Sequence, residues 1–552
     1  MSATVTANIA SHLAVMAEQQ PDRPAVLFPT PWDAQGGQYK QCTFRELDTV
    51  SSQMARGFER IGIKRGTRTA LLVPPSLDFF ALTFALFKVG AVPVLIDPGI
   101  GLSNLANCLA EAEPQAFIGI SKAQAARVLL GWGPSVSIAV TVGTRWFWGG
   151  HTLAQVRKLG ATEGTFSPAI PTPDETAAIL FTSGSTGPPK GVVYTHEIFT
   201  AQVEHIRALY GIQPGEVDLP TFPLFALFGP ALGMTEVLPA MDFTRPADVN
   251  PLNLTAAIER FGVTNMFGSP AVINRLGRHG EAHGVKLPTL RRAISAGAPV
   301  PAKALARFAA MLPPGAQVFT PYGATECLPV ASIGSDEILG ETRVQTDLGK
   351  GVCVGRPVPG LTVKIIRITD EPIAAWSDDL ELPRGEIGEI AVQAPHATRS
   401  YFNRPASTAQ AKIPAADGKF FHRMGDVGYL DERGRIWFCG RKSHRVVTRA
   451  GTLFTIPCEA IFNTHAAVFR SALVGVPRSG DVEPVICIEL EADARAQSEA
   501  KLREELLALG TKFPHTQSIR TVLFHPAFPV DIRHNAKIFR EKLAVWAKEQ
   551  LG

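Results

Sequence analysis

The sequence predicts a multidomain α/β protein, and three observations support this fold class. First, 552 residues exceed what one ordinary hydrophobic core organises, so two or more domains are expected. Second, short apolar strands that end in glycine, serine or proline turns alternate with helical patterns, as in "AAILFTSG", "VTNMFGSP" and "AQVFTPYG". Third, 45% hydrophobic and 19% charged residues are typical of a globular chain and exclude a largely disordered one.

The elements follow in a clear order along the chain. The strand "RTALLVPPS" precedes the helix-like "LDFFALTFALFKVGA" and then the strand "VPVLIDP". From about residue 383 short strands with tight turns prevail, and "DERG" between two apolar runs predicts a hairpin. After Arg441 mixed strands and helices return, so a domain boundary is predicted within residues 440–443. Ligands of such sheets bind where strands end, and every candidate motif lies at a strand end.

Charge and cysteine usage exclude several classes of function. The net charge is only +4, and no long basic run is interleaved with aromatic residues, so nucleic acid is excluded as an expected partner. The seven cysteines form no CxxC pair, which favours reduced thiols in a reducing compartment. Neither a secretion signal nor an apolar run of roughly 20 residues is evident, and a cytoplasmic protein without a membrane span is expected.

One aromatic stretch stands apart from these patterns. In "GTRWFWGG", Trp146, Phe147 and Trp148 lie together beside glycines. Such a cluster could touch a membrane surface or an acyl chain, or it could form a buried plug under a long loop. The sequence leaves both alternatives open.

The loop in "FTSGSTGPPKGVVYTH", residues 181–196, has the composition of a phosphate-binding segment. Gly184 and Gly187 allow its backbone to approach a ligand closely, and Lys190 adds a cation. Hydroxyls that can reach phosphate oxygens come from Thr182, Ser183, Ser185 and Thr186. The spacing does not match GxxxxGK[ST], so a P-loop NTPase is disfavoured. Taken alone, such a loop is equally typical of a mobile connector.

Taken with seven further motifs, this loop resembles the adenylate-forming superfamily, which comprises acyl-CoA synthetases, luciferases and the adenylation domains of peptide synthetases. The motifs follow in the family's order: "KVGAVPVLIDP" (88–98), "SAGAPV" (295–300), "TPYGATE" (320–326), "GEIGEIAV" (385–392), "FHRMGDVG" (421–428), "FCGRK" (438–442) and "RHNAKIFREKL" near the end. The resemblance implies a large N-terminal AMP-binding domain over residues 1–440, with two α/β subdomains and a small β-barrel-like one. A small mobile α+β lid domain over residues 441–552 would carry the catalytic lysine.

The resemblance also implies roles for individual residues, with ATP and Mg²⁺ as the cofactors. Glu326 would hold Mg²⁺, Thr325 would contact the α-phosphate, and Lys537 would bridge the attacking carboxylate and the phosphate. Asp426 would accept the ribose hydroxyls beside Arg441. The other implied nucleotide contacts are Gly297, Ala298, Pro299, Tyr322 (near adenine) and Gly323, together with the loop residues 182–187 and Lys190. Cations and oriented donors are needed because two anions must react with each other.

Several departures from the family pattern resemble one branch, the β-lactone synthetases of bacterial olefin biosynthesis. Ser443 replaces the usual hinge Asp or Lys, and Ala536 replaces the glycine before the terminal lysine. This branch implies that a long-chain 2-alkyl-3-hydroxy acid is adenylated and that its own β-hydroxyl then closes a β-lactone. The alternatives are a long-chain fatty acid-CoA ligase, a fatty acyl-AMP ligase, and an inactive nucleotide- or acyl-binding protein.

The superfamily also implies an apolar acyl pocket. Its expected lining is Phe225, Ala226, Leu227, Phe228, Met234 and Phe267. Ordinary core packing is an equally common fate for such side chains. The base of the lactone-closing step stays open among His205, His196 and the adenylate phosphate. Other enzymes of the olefin pathway are possible partners in an assembly.

Overall fold

The computed structural model describes residues 6–30, 37–161, 166–181, 188–222, 226–478, 480–530 and 537–552. Within these ranges the strands form four sheets, of fourteen, seven, three and two strands. Helices cover the two largest sheets, so the predicted α/β class is confirmed. None of the helices in these ranges is both long and apolar enough to cross a bilayer.

The seven-stranded sheet carries the glycine-rich loop. Its strands are, in spatial order, His151–Thr152, Ile138–Val142, Ala116–Ile120, Arg68–Leu72, Val92–Leu95, Thr176–Phe181 and Gly191–Thr195. The first six are parallel, whereas the last two are antiparallel, with Phe181 opposite Gly191. The loop therefore joins two neighbouring strands at one edge of the sheet. The helices of this region are Phe44–Ile61, Leu77–Val89, Leu102–Ala112, Ser121–Leu129, Leu153–Gly160 and His196–Tyr210.

The helix Leu77–Val89 shows why this sheet is so well covered. It begins at the cap residue Ser76, whose hydroxyl accepts a 3.2 Å hydrogen bond from the Phe79 amide, and ends at Gly90 with a φ of 73°. A helix that is apolar on every side is expected in the interior, and eleven of its thirteen residues are buried.

The fourteen-stranded sheet joins a parallel half to an antiparallel half. Its strands run in the order Thr362–Ile366, Gly388–Gln393, Phe420–Leu430, Ile436–Arg441, Val352–Pro357, Cys327–Gly334, Gln317–Ala324, Arg292–Ile294, Asn265–Phe267, Val217–Pro220, Thr235–Val237, Pro24–Pro29 and Tyr39–Thr43, and Lys412–Pro414 pairs with Phe420–Leu430. The longer helices of this region are Ala10–Gln19, Phe228–Leu232, Pro251–Phe261, Pro270–His283, Ala302–Ala309, Arg343–Asp347 and Pro405–Ala411. The antiparallel part, expected to be barrel-like, extends the parallel sheet and is not closed in the described ranges.

The "DERG" segment forms the predicted hairpin. Strands Phe420–Leu430 and Ile436–Arg441 are antiparallel, with Leu430 opposite Ile436. The Asp431 carboxylate closes the turn because its Oδ1 accepts hydrogen bonds from the amides of Arg433 (2.9 Å) and Arg435 (2.8 Å).

The last part of the chain forms two small sheets of its own. Strands Val468–Arg478, Asp481–Leu490 and Thr521–Phe524 make the first, and Val446–Thr448 and Gly451–Leu453 make the second. The helices here are Thr455–Asn463, Glu499–Gly510 and Arg540–Leu551. A single 3₁₀ turn, Lys442–His444, separates this region from the large sheet. The boundary between residues 440 and 441 stays a prediction.

Candidate active site

One cavity of about 710 Å³ lies where the two large sheets and the C-terminal segment meet. Phe181, Phe267 and Ile294 line it, and each is the last residue of a parallel strand. The carboxyl ends of parallel strands are where ligands of such sheets bind. Charged and hydroxyl side chains line one part of the cavity, namely Lys190, Thr325, Glu326, Arg441 and Lys537. The structure therefore brings together the reactive residues expected from the sequence.

Glu326 is held at the cavity from two sides. Its Oε1 accepts a 2.7 Å hydrogen bond from the Tyr401 hydroxyl, and its backbone carbonyl accepts a 2.8 Å hydrogen bond from the Thr398 amide. Burial raises the pKa of Tyr401, and the neighbouring Glu326 charge raises it further, so the phenol stays a donor. Lys190 Nζ lies 5.1 Å from the centroid of the same ring. One phenol thus contacts both the acid and the cation.

Thr325 is fixed through its backbone. The Tyr194 hydroxyl donates a 2.6 Å hydrogen bond to the Thr325 carbonyl, and burial raises the pKa of that phenol. Tyr194 belongs to the strand Gly191–Thr195, which follows the glycine-rich loop. The loop strand and the "TPYGATE" segment are therefore bound directly to each other.

A buried amine and an imidazole, which the sequence analysis missed, lie behind Glu326. Lys412 is buried, and its ammonium donates to the Thr398 carbonyl and lies 3.1 Å from Nδ1 of His422. Burial lowers the pKa of Lys412 to about 8, against the opposing effect of the Glu326 charge. Burial also lowers the pKa of His422, which lines the cavity. His422 stands in a recognised motif, whereas nothing in the local pattern marks Lys412 as a buried cation.

Asp426 is buried between a phenol and a guanidinium. Its Oδ2 accepts a 2.7 Å hydrogen bond from the Tyr322 hydroxyl, and its Oδ1 lies 2.9 Å from Nη1 of Arg441. Burial raises the pKa of Asp426, while the Arg441 charge, the Tyr322 hydrogen bond and the Lys537 charge act in the opposite direction. Arg441 and Gly425 line the cavity, whereas Asp426 and Tyr322 lie just behind that lining.

The segment that follows Arg441 is tied to the large sheet. Lys442 Nζ donates a 2.8 Å hydrogen bond to the Thr369 carbonyl and lies 3.3 Å from the buried Glu389 carboxylate. Arg445 donates a 2.6 Å hydrogen bond to Asp370. Ser443, the departure noted in the sequence, lies between these two anchors and lines the cavity.

The remaining expected nucleotide contacts divide into three groups. Gly297 and Gly323 line the cavity. Ala298 and Pro299 follow Gly297 directly in the chain but are not among the described lining residues. Thr182, Ser183, Gly184, Ser185, Thr186 and Gly187 lie outside the described residues.

The apolar part of the cavity differs in detail from the expected acyl pocket. Leu227, Phe228 and Phe267 line it as expected. Ala226 and Met234 belong to the adjoining buried core and are not among the described lining residues, and Phe225 lies outside the described residues.

Two helices supply apolar lining that the sequence analysis missed. Phe84 and Phe87 come from Leu77–Val89, and Phe199, Ile206 and Tyr210 come from His196–Tyr210. The Phe199 ring lies 5.6 Å from Phe87 and 6.1 Å from Phe228, centroid to centroid, which makes a continuous aromatic wall. In the helix His196–Tyr210, the helical spacing of positions 199, 206 and 210 could have predicted that these residues share one face.

Neither histidine considered as a base lines the cavity among the described residues. His196 is buried, and burial lowers its pKa to about 4. His205 packs against His396, with ring centroids 4.8 Å apart.

Comparisons with known proteins agree with this geometry. The sequence profile described as AMP-binding enzyme matches residues 13–402. Olefin β-lactone synthetases of Xanthomonas campestris pv. campestris and Stenotrophomonas maltophilia are each 52% identical, covering 99% of this chain and 98% of the relative. The amide bond synthetase McbA of Marinactinospora thermotolerans has a similar fold, with a TM-score of 0.79 at 24% identity, covering 98% of this chain and 99% of that one.

Proposed function

Because the chain belongs to the AMP-binding enzymes and is an AMP-forming, acid-activating ligase, we propose that it works as an ATP-dependent β-lactone synthetase on long-chain 2-alkyl-3-hydroxy acids. The observation that carries this proposal is that Thr325, Glu326 and Lys537 line the same cavity as the aromatic wall. The name of the two relatives at 52% identity supports lactone closure as the second step.

In the first step, a carboxylate oxygen of the acid attacks the α-phosphorus of ATP, and pyrophosphate leaves. Both reactants are anionic, so the barrier contains a large electrostatic contribution that fixed cations and donors reduce. Lys190, Arg441 and Lys537 are the cations of the cavity that serve this purpose. Tyr401 and Tyr194 keep Glu326 and the Thr325 backbone in fixed positions, so little reorganisation is needed during the reaction.

The residues of the cavity fit Mg²⁺ bound together with ATP. No group of three or more His, Cys, Asp or Glu side chains in the described ranges could hold a metal by itself. Mg²⁺ commonly binds through one or two carboxylates together with substrate phosphates and water, and Glu326 supplies one such carboxylate. When bound, the ion would neutralise part of the phosphate charge.

In the second step, the β-hydroxyl oxygen attacks the carbonyl carbon of the acyl adenylate. The new C–O bond closes the four-membered ring, the bond from carbon to the phosphate oxygen breaks, and AMP leaves. The hydroxyl proton passes to the AMP phosphate. Nucleophile and electrophile belong to one molecule, which can lower the barrier by on the order of 7 to 11 kcal/mol in favourable cases. Exclusion of water by the aromatic wall would protect the mixed anhydride from hydrolysis.

Product analysis without a thiol tests the proposal. The purified protein is incubated with ATP, Mg²⁺ and a synthetic 2-alkyl-3-hydroxy acid, and the products are identified by mass spectrometry. We expect a β-lactone, AMP and pyrophosphate in equal amounts without coenzyme A, and a matched 2-alkyl acid that lacks the hydroxyl should give no lactone. AMP release that requires coenzyme A would instead make the protein an acyl-CoA ligase. Acyl transfer to a carrier protein would make it a fatty acyl-AMP ligase.

A further inference from the structure

The aromatic stretch at residues 146–148 is partly buried and partly exposed. Trp148 is buried, and its Nε1 donates a 2.9 Å hydrogen bond to the Thr141 hydroxyl. Trp146 and Phe147 pack on the Trp148 ring at 5.3 and 5.1 Å, yet they are 55% and 69% exposed. Trp148 is therefore buried under the loop, as one of the two alternatives in the sequence analysis expected for this stretch. The other two rings are held outward on top of it.

The surroundings of these rings are basic. Residues 121–160 contain no Asp or Glu, and their Lys and Arg residues are Lys122, Arg127, Arg145, Arg157 and Lys158. Among these, Arg157 is neutralised by Asp78 at 2.5 Å. The Ser121 hydroxyl donates a 2.5 Å hydrogen bond to the Thr144 carbonyl, so the helix Ser121–Leu129, whose second residue is the exposed Lys122, begins directly beside the aromatic loop.

The position of this surface in the sheet relates it to the cavity. The aromatic loop follows the carboxyl end of the strand Ile138–Val142. At the same edge, three strand positions away, the chain leaves Val92–Leu95 and reaches Asp97, which lines the cavity. Neighbouring strands are spaced by about 4.8 Å, so the two strands lie roughly 14 Å apart. The aromatic loop and the Asp97 side of the cavity therefore both lie at the carboxyl ends of strands of the same sheet.

We propose that Lys122, Arg145, Trp146 and Phe147, here called the aromatic-basic patch, bind the surface of an anionic lipid bilayer. Indole and phenyl rings partition into the boundary between headgroups and acyl chains. Cations beside them are attracted to anionic headgroups, and the lack of acidic residues in the surrounding segment removes the repulsion that such a surface would otherwise exert. This inference does not depend on which second step follows adenylation.

Co-sedimentation with phospholipid vesicles tests the patch. The full-length protein is mixed with vesicles of phosphatidylcholine alone or with about 30 mol% phosphatidylglycerol, a composition that gives an anionic surface. We expect wild-type protein to sediment with the anionic vesicles and to be released by salt. Trp146→Ala combined with Phe147→Ala should weaken binding on the order of tenfold or more, because two exposed rings are lost. Lys122→Glu should weaken it about fivefold or more.

Phe469→Ala is the matched control, because Phe469 is 42% exposed and lies in the C-terminal region, away from the patch. Its binding should equal that of the wild type. ATP-dependent pyrophosphate release with a water-soluble acid should be unchanged in all variants, which shows that they are folded. Wild-type protein that stays in the supernatant with anionic vesicles would overturn the proposal. The patch would then be a candidate for contact with another protein. Equal binding by the double variant would overturn it as well.

Discussion

The Tyr322 hydroxyl donates a 2.7 Å hydrogen bond to Oδ2 of Asp426, and both side chains are buried. Tyr322 comes from "TPYGATE" and Asp426 from "FHRMGDVG", so this bond joins two motifs that lie about a hundred residues apart. The second oxygen of the same carboxylate lies 2.9 Å from Arg441, which lines the cavity. Tyr322 therefore orients the acid that in turn orients a cavity cation.

Removing this hydroxyl should destabilise the protein. In Tyr322→Phe, the buried Asp426 loses one donor and keeps its desolvation cost, so the free energy of unfolding should fall by about 1–3 kcal/mol. Urea denaturation without nucleotide measures this change. Tyr429→Phe is the matched control, because the Tyr429 hydroxyl donates to the Lys350 carbonyl at 2.9 Å outside the cavity. Equal unfolding curves for Tyr322→Phe and wild type would show that the bond contributes nothing.

Lys537 should matter for the reaction and much less for nucleotide binding. It lines the cavity, and its charge acts on Asp426. Lys537→Ala should lower the rate of pyrophosphate release by on the order of 10²- to 10³-fold, because the lost cation acts on charge that develops in the transition state. The Kd for ATP should stay within about threefold of the wild-type value.

Single-turnover pyrophosphate release and equilibrium ATP binding are the two measurements for that variant. Lys548→Ala serves as the control, since Lys548 is exposed on the same terminal region, in the helix Arg540–Leu551. Full pyrophosphate release by Lys537→Ala would refute the catalytic role of this lysine.

Tyr401 should tune the metal dependence of the reaction. Its hydroxyl donates the 2.7 Å hydrogen bond to Glu326 Oε1, so it orients the carboxylate assigned to Mg²⁺. Loss of a partner that orients a metal ligand typically weakens metal affinity about 10- to 100-fold. Tyr401→Phe should therefore raise the Mg²⁺ concentration needed for half-maximal activity by about that factor. A variant with unchanged Mg²⁺ dependence and a lower maximal rate would indicate that Tyr401 acts only on the substrate.

Local patterns in the sequence were enough to predict the elements, whereas the reactive residues were expected from the resemblance to a family. The alternation of apolar strands with helices and the "DERG" turn are both properties of short segments. Lys190 precedes a strand of the seven-stranded sheet and Glu326 connects two strands of the fourteen-stranded sheet, so their meeting at one cavity depends on how the two sheets pack.

The features that the sequence analysis missed depend on contacts between segments that are distant in the chain. Lys412 stands in a polar segment, and it is buried because the strand Lys412–Pro414 pairs with Phe420–Leu430. The aromatic wall of the cavity is likewise a result of long-range packing. Leu77–Val89 is apolar on every side, so no periodicity tells which of its faces meets a cavity, and Phe84 and Phe87 are found there only through packing.

His196 should make the protein sensitive to acid although it does not line the described cavity. The ring is 1% exposed, and neither nitrogen has a hydrogen-bond partner among the described residues. Burial lowers the pKa of His196 from 6.5 to about 4. The negative charge of the nearby Glu175 raises this pKa and so opposes the shift only in part. Between these two pH values the unfolded chain binds a proton at this position that the folded chain does not, so acid favours unfolding there.

The comparison of wild type with His196→Leu isolates this contribution. As the pH falls from 6.5 to about 4, the stability of the wild type relative to the variant should decrease by up to about 3 kcal/mol. Above pH 6.5 the difference should be constant, because both states then carry a neutral ring. Urea denaturation at a series of pH values measures it, with the exposed His283→Leu as the control substitution. A difference that does not change with pH would mean that the ring reaches solvent or a proton acceptor in the folded protein, and the variant's lactone yield would then show whether that ring serves the cavity.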